Sequence, residues 1–508
     1  MKSKTPKYFI ASISLVLLAT SAVFAQEQRA DQEQTKEHHR YKLMEVGTFG
    51  GPSSYFTFIS KPLNNRGVAA GMADTAAAVN PPFCLLLPDC FLPHAFLWKE
   101  GTLIDLGALP GIGGSFVNGI NRNGVVVGMS LNGGSDRLLG LPYFDAVVWK
   151  DGQIIDLGTF GGPLSYSGAV NDHGQVVGFA LNATPDSFDL GDFCQNFPMP
   201  TQMRAFTWQR GVMRDLGTLG GTDSCALFIN DRGQVAGNSL TNSAVNPGTG
   251  LPTLHPFFWD GDAMRDLGAL ANGTRTTASA MNNRGQVAGV SNLADDSAFH
   301  AFLWDKGTLT DFGTLGGDFV EVIGLNEAGE IVGQAQLPNS QTIHAFLARD
   351  GVMTDLGTPD RNACSAAISI NVRGQIVGSS DDCSGNNGRA FLWEKDRMID
   401  LNAFVPSYSA LTLTQAALIN DRGEIATQGI LPNGDQRAVL LVPCERDEER
   451  CVDSAEATNG AALRNSAPTL DRTGLLTSRQ RGVTPRESAA AWRAWLARRD
   501  HILGAPNN

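Results

Sequence analysis

Charge is scarce in this 508-residue chain: 18% of its residues are charged, and acids outnumber Lys and Arg by 51 to 39, for a net charge of −12. A surface of that sign repels phosphate backbones, so nucleic acid is not an expected partner. Beyond the first 25 residues no apolar run is long enough to span a bilayer, so no transmembrane anchor is expected. The eight cysteines never fall in the Cys-x-x-Cys spacing of zinc sites, and neither a metal nor a cofactor is expected. Gly-x-Ser-x-Gly and His-Glu-x-x-His are missing. Gly-Gly pairs such as Gly161-Gly162 lack the Lys-Ser or Lys-Thr that completes a phosphate loop.

What is present begins with an export signal. Lys2, Lys4 and Lys7 precede an apolar stretch from Phe9 to Val23, and Val23-Phe24-Ala25 suits cleavage, so residues 1–25 read as a signal peptide and 26–40 as a polar leader. The protein is therefore expected in the periplasm or outside the cell. Eight cysteines in an exported chain read as disulfides. Proximity along the repeats suggests Cys84 with Cys90, Cys194 with Cys225, Cys364 with Cys383, and Cys444 with Cys451.

The 57 glycines punctuate a repeat. Asn-x-x-Gly begins at Asn64, Asn121, Asn171, Asn230, Asn282, Asn326, Asn371 and Asn420. A His-Ala-Phe-Leu-Trp-like strand follows each one, in full at His94–Trp98 and His300–Trp304. Asp-Leu-Gly or a close variant comes next, at Asp105, Asp156, Asp215, Asp266, Asp311, Asp355 and Asp400. Asn at the first turn position and Gly at the fourth suit a tight turn between strands, and a second Gly-bearing turn divides the segment ending in Asp-Leu-Gly. Four strands, a to d, in about 45 residues make one propeller blade. The expected fold is an all-β, eight-bladed propeller of four-stranded blades over 41–443. The eighth repeat lacks a strand d, and Glu45-Val46-Gly47 offers one at the other end. The N-terminal strand is thus expected to close the ring and remove two open edges.

The combination of these motifs resembles the HAF-type extracellular repeat family, named for the strand seen at 94–96, 300–302 and 344–346. The resemblance covers about 42–442. It implies export and a propeller-like repeat fold, and no established reaction or catalytic residues. The pattern lapses at Ala348 and at Leu440-Leu441, where Trp is expected.

Residues that recur in nearly every blade read as scaffold: the Asp of Asp-Leu-Gly capping backbone N–H groups, the His of the His-Ala-Phe strand, and Trp98, Trp149, Trp208, Trp259, Trp304 and Trp393 between blades. Function is sought where the repeat breaks. The connections from strand b to strand c hold 22, 16, 25 and 17 residues in the first four blades and 10 or fewer in the last four. Variable loops on a rigid scaffold are where binding usually resides. Phe83, Leu86, Phe91, Tyr143, Phe188, Phe193 and Phe197 are the candidate ligand-binding residues of that face. The chain is accordingly expected to be a non-catalytic binding module that recognises a glycan or a protein. Asp223, Asp318 and Glu321, non-repeated acids on the same face, are the candidates under the alternative of a polysaccharide hydrolase or lyase. A structural cell-surface assembly protein is the third reading.

After the last strand, 444–483 reads as a polar linker. Thr484-Pro485-Arg486-Glu487 then forms a capping box, opening an amphipathic helix over 484–503 with Trp492, Trp495 and Leu496 on one stripe, a possible docking element.

Overall fold

Two kinds of turn, each set by a few residues, fold the repeat. In the Asn-x-x-Gly turn of the second blade, Asn121 Oδ1 accepts the N–H groups of Asn123 and Val125, both at 2.9 Å. Gly124 takes a φ of +82°, a left-handed conformation that a side chain would disfavour. In the second turn of the first blade, Glu100 and Gly101 have φ of 50° and 82° between the paired residues Lys99 and Thr102. That two-residue geometry matches the right-handed twist of the flanking strands.

The computed structural model describes residues 40–56, 61–79, 89–135, 142–186, 194, 199–246, 252–294, 298–359, 364–385, 387–444 and 451–453. They form an eight-bladed, all-β propeller, each blade a four-stranded antiparallel sheet to which the last adds a short fifth strand. The helical elements among the described residues are two 3₁₀ turns, Leu270–Asn272 and Leu401–Phe404. The expected signal peptide, the leader up to residue 39 and the helix at 484–503 lie outside the described residues.

Blade 2 illustrates the pattern with strands Ser115–Ile120, Val126–Ser135, Pro142–Lys150 and Gln153–Asp156. In the sheet of blade 8 the order is Thr412–Ile419, Ile425–Ile430, Gln436–Pro443, Arg40–Glu45, Val452–Asp453. Leu43 pairs with Leu441 and Glu45 with Val439. Val46 N–H donates to Ala438 O at 3.0 Å, as Leu106 does to Ala95 at 3.0 Å and Leu157 to Ala146 at 2.9 Å. The disulfide Cys444–Cys451 brings Val452–Asp453 against Arg40–Tyr41, so these two residues join the blade although composition alone assigns them to the linker.

The core lies between blades. Trp149 of blade 2 is buried against Val68, Ala70 and Ala95 of blade 1, and Trp208 of blade 3 against Val127, Ala146 and Val148 of blade 2. The same step carries Trp259 onto blade 3 and Trp393 onto blade 6. Trp98 of blade 1 packs on Ala426, Ala438 and Leu440 of blade 8. Ala348 takes the Trp position in blade 6 and is fully buried against Ala288 and Ala301 of blade 5. A serine at the head of strand a adds a polar stitch: Ser115 Oγ accepts Ala95 N–H at 2.8 Å and donates to Gly107 O at 2.8 Å.

Candidate functional site

The repeated polar residues are spent on the scaffold. Each Asp of the Asp-Leu-Gly motif accepts a backbone N–H two residues on, at 2.7–2.8 Å. In six blades the same carboxylate also meets a cationic or imidazole partner eleven residues earlier on strand c. Nδ1 of His94, His255, His300 and His344 lies 2.9–3.0 Å from Asp105, Asp266, Asp311 and Asp355. Arg204 and Arg389 hold Asp215 and Asp400 at 3.1 and 2.9 Å. Partial burial alone raises a carboxylate, but the His255 and His344 contacts and a backbone N–H outweigh it and hold Asp266 and Asp355 below their ordinary range.

Blade 2 breaks this rule. Its strand c carries Asp145 opposite Asp156. Burial pushes Asp145 up to about 6; the Asp156 charge adds to that and a hydrogen bond from Asn132 opposes it. The aspartate at that position is visible once the blades are aligned; its burial is not.

The face that carries the b–c connections is lopsided, and much of what reads as loop is sheet. Strand b runs over Ala69–Ala78, Val126–Ser135, Val176–Pro185 and Val235–Val245 in blades 1 to 4. In blades 5 to 8 it is six residues long: Val287–Asn292, Ile331–Gln336, Ile376–Asp381 and Ile425–Ile430. Every long strand passes an irregularity in register, as between Leu131 and Ser135 or Leu181 and Pro185, then continues as an exposed arm. Such bulges re-aim a strand. The four arms stand on one apolar cluster that includes Leu92, Leu131, Phe144, Leu181, Met203 and Leu240. Cys194 and Cys225, both buried there, join the third connection to strand a of blade 4. Cys364 at the head of strand a of blade 7 is bridged to Cys383, two residues past the end of strand b.

Of the expected face residues, Phe91 opens strand c of blade 1, half-buried, and Tyr143 is half-buried against the apolar cluster. Phe83, Leu86, Phe188, Phe193, Phe197 and Cys84 lie outside the described residues. Asp223 is buried at the entry to blade 4, accepting Met203 N–H at 2.7 Å and the Thr222 hydroxyl. Burial, then the charge of Asp186, pushes it up to about 6 against the opposing pull of Thr222, Met203 and Arg204. Asp318 is exposed at the entry to blade 6, and Glu321 on strand a of that blade accepts from Gln334 at 2.7 Å. Blade 5 stands between Asp223 and the other two acids. Among the described residues no cluster of three or more His, Cys, Asp or Glu side chains is arranged to hold a metal, and no helix is long and apolar enough to cross a membrane.

The chain matches no protein-family model and no curated protein. Among solved structures it is similar to the propeller domain of the Trilobed protease from Pyrococcus furiosus, with a TM-score of 0.42 and 8% identity, over 70% of this chain and 99% of that one. Pyrococcus horikoshii acylaminoacyl peptidase gives a TM-score of 0.40 at 10% identity, over 73% of this chain and 58% of the peptidase. Porphyromonas gingivalis dipeptidyl peptidase 4 gives 0.39 at 9% identity, over 68% and 56%. The chain thus spans under three fifths of the two full peptidases. The expectation of a non-catalytic module that binds a glycan or a protein is corrected here: these similar structures are a protease's propeller domain and two peptidases.

Proposed function

We propose that the chain is an accessory propeller: a rigid ring that works joined to a catalytic partner of the peptidase class, its arm-bearing half-face turned to that partner. One observation of the chain itself carries this reading, the one-sidedness of the arms. Four consecutive blades extend strands b and c beyond the ring and four stop short. All four arms contribute to one apolar base, blade 1 through Leu92, and a disulfide clamps the third connection to the next blade. A wall of stiff hairpins along half a rim can hold a second body in one orientation without reshaping itself.

The test trims the arms of blades 2 and 4 to the length seen in blade 6 and compares the trimmed chain with the intact one as immobilised bait. Co-retention of a serine- or metallo-peptidase activity on fluorogenic peptides, lost with the arms, is the expected result. Equal retention by both baits, or none by either, overturns it.

Three further points belong to the same reading. The strand Arg40–Glu45 fastens the ring, supported by its pairing with Gln436–Pro443 and by the bond from Val46 to Ala438. The chain is exported by way of residues 1–25, which agrees with three disulfides, a chemistry of oxidising compartments. The His-Ala-Phe strand, in full in three blades and varied at the same place in the other five, supports membership of the HAF-type repeat family, and the segment 484–503 serves as a second docking element.

A further inference from the structure

Position 74 holds an aspartate where the matching position of strand b in blades 2, 3 and 4 holds Leu131, Leu181 and Leu240, each buried in the apolar base of the arms. Asp74 is as deeply buried as they are, at 0% exposure. Its Oδ2 accepts Ser53 N–H at 2.9 Å, and its Oδ1 accepts the Tyr55 hydroxyl. The carboxyl of Asp89, two residues before strand c, meets it from the other side of the hairpin. Among the described residues Asp89 Oδ2 is buried without a hydrogen-bond donor, and Oδ1 receives a long 3.4 Å contact from Phe91 N–H.

Two facing carboxylates with so few donors cannot both stay charged away from water. One proton between them turns repulsion into a hydrogen bond and satisfies the orphaned Asp89 oxygen. The location gives that proton leverage. Beyond it the arm continues as Ala78 paired with Phe91 and Val79 N–H bonded to Cys90 O at 2.8 Å. Behind it, Ser53 Oγ accepts Gln436 N–H at 3.2 Å, and the Arg437 guanidinium bonds Pro52 O, so the same segment forms the seam with blade 8.

We infer that a proton shared by Asp74 and Asp89 locks the base of the blade 1 arm to the seam with blade 8, closing the joint in acid and loosening it in base. Tyr55 and Asp89 are the titratable groups that face Asp74; Arg437, with Asp435, stands across the seam. Burial and the Asp74 charge hold the Tyr55 hydroxyl well above its ordinary value, so it remains a donor throughout. Burial first, and Asp89 next, push Asp74 up to about 7, against the opposing bonds from Tyr55 and Ser53. A folded-state value raised above the unfolded one gives stability that is complete in acid and lost as pH rises through about 7.

Hydrogen exchange of the full chain, corrected for intrinsic rates, tests this. Between about pH 6 and pH 8.5, protection across 75–79 and 89–93 should fall about tenfold, while the arms of blades 3 and 4 hold theirs. Asp74→Asn removes the titrating carboxyl and Asp89→Asn the carboxylate that faces it, and each should reduce that change to less than about twofold. Tyr55→Phe, which removes a bond favouring the charged form, should move the transition to higher pH. If Asp74→Asn does not fold, Asp89→Asn carries the same comparison. A wild type without a transition in this range, or one that persists in the Asn variants, overturns the inference.

Discussion

The side-chain amide of Asn420 donates to the backbone oxygen of Asn64 at 2.9 Å, across 356 residues of sequence. Asn64 donates likewise to Asn121, Asn121 to Asn171, and so on through Asn230, Asn282, Asn326 and Asn371 back to Asn420, at 2.9–3.3 Å. All eight are buried, and each Oδ1 also accepts two N–H groups of its own turn. The bond of blade 8 to blade 1 therefore has the same form as every bond within the ring.

Asn420→Ala should cost about 2–4 kcal/mol, because it removes one donor and strands the Arg422 and Glu424 N–H groups, each now at 3.0 Å from Oδ1. Asn282→Ala should cost about as much in urea unfolding. A seam variant that unfolds at wild-type urea concentration would show that the circle is not continuous in solution.

Asp145→Asn should stabilise the protein most above pH 6 and do little only below about pH 4. Asp145 is raised to about 6, so its burial costs stability as pH climbs through that value, and the amide removes the cost. With the group only partly buried, about 1 kcal/mol at pH 8 is expected, read as the difference between melting curves at about pH 4 and pH 8.

The opposite sign applies to Asp266 and Asp355. Both are held below their ordinary range by His255 and His344, so each contributes stability that is present above about pH 4 and is lost as pH falls through the depressed value. His255→Ala and His344→Ala should each flatten the acid limb of the stability profile by under about 1 kcal/mol, since the pairs are partly exposed.

Cys194→Ser with Cys225→Ser opens the clamp between the third connection and blade 4, 31 residues apart in sequence. A loss of about 3 kcal/mol is expected, with rising proteolytic sensitivity near 199–203 while blades 5 to 8 keep their protection. Unchanged cleavage around Met199 and Met203 would mean that the apolar base alone holds that arm.

Much of the fold was legible because the repeat states it eight times. Asn-x-x-Gly names a turn through its own side chain, and an Asp that recurs in seven blades reads as a cap, which Asp105 and its equivalents are. The candidate site was harder to read. The connection at 179–203 looks like loop by composition, yet Thr184 and Pro185 are in strand b, because backbone pairing with strand c continues past a bulge that leaves no residue signature. Asp223 and Asp318 look alike in sequence, but one is buried under Met203 and the other faces water.

The amino-acid sequence by itself determined the number of blades, the turns and the inter-blade tryptophans, since a turn rests on contacts within a few residues and every such tryptophan but Trp98 reaches only the blade before it. Tertiary structure decided what depends on distant segments meeting: the partners of Asp74, the joining of Asn420 to Asn64, and the addition of Val452–Asp453 to a sheet edged by Arg40 and Tyr41. Local chemistry specifies a turn or a cap. A buried carboxylate acquires its proton, and a ring its closure, only from neighbours that the folded chain brings together.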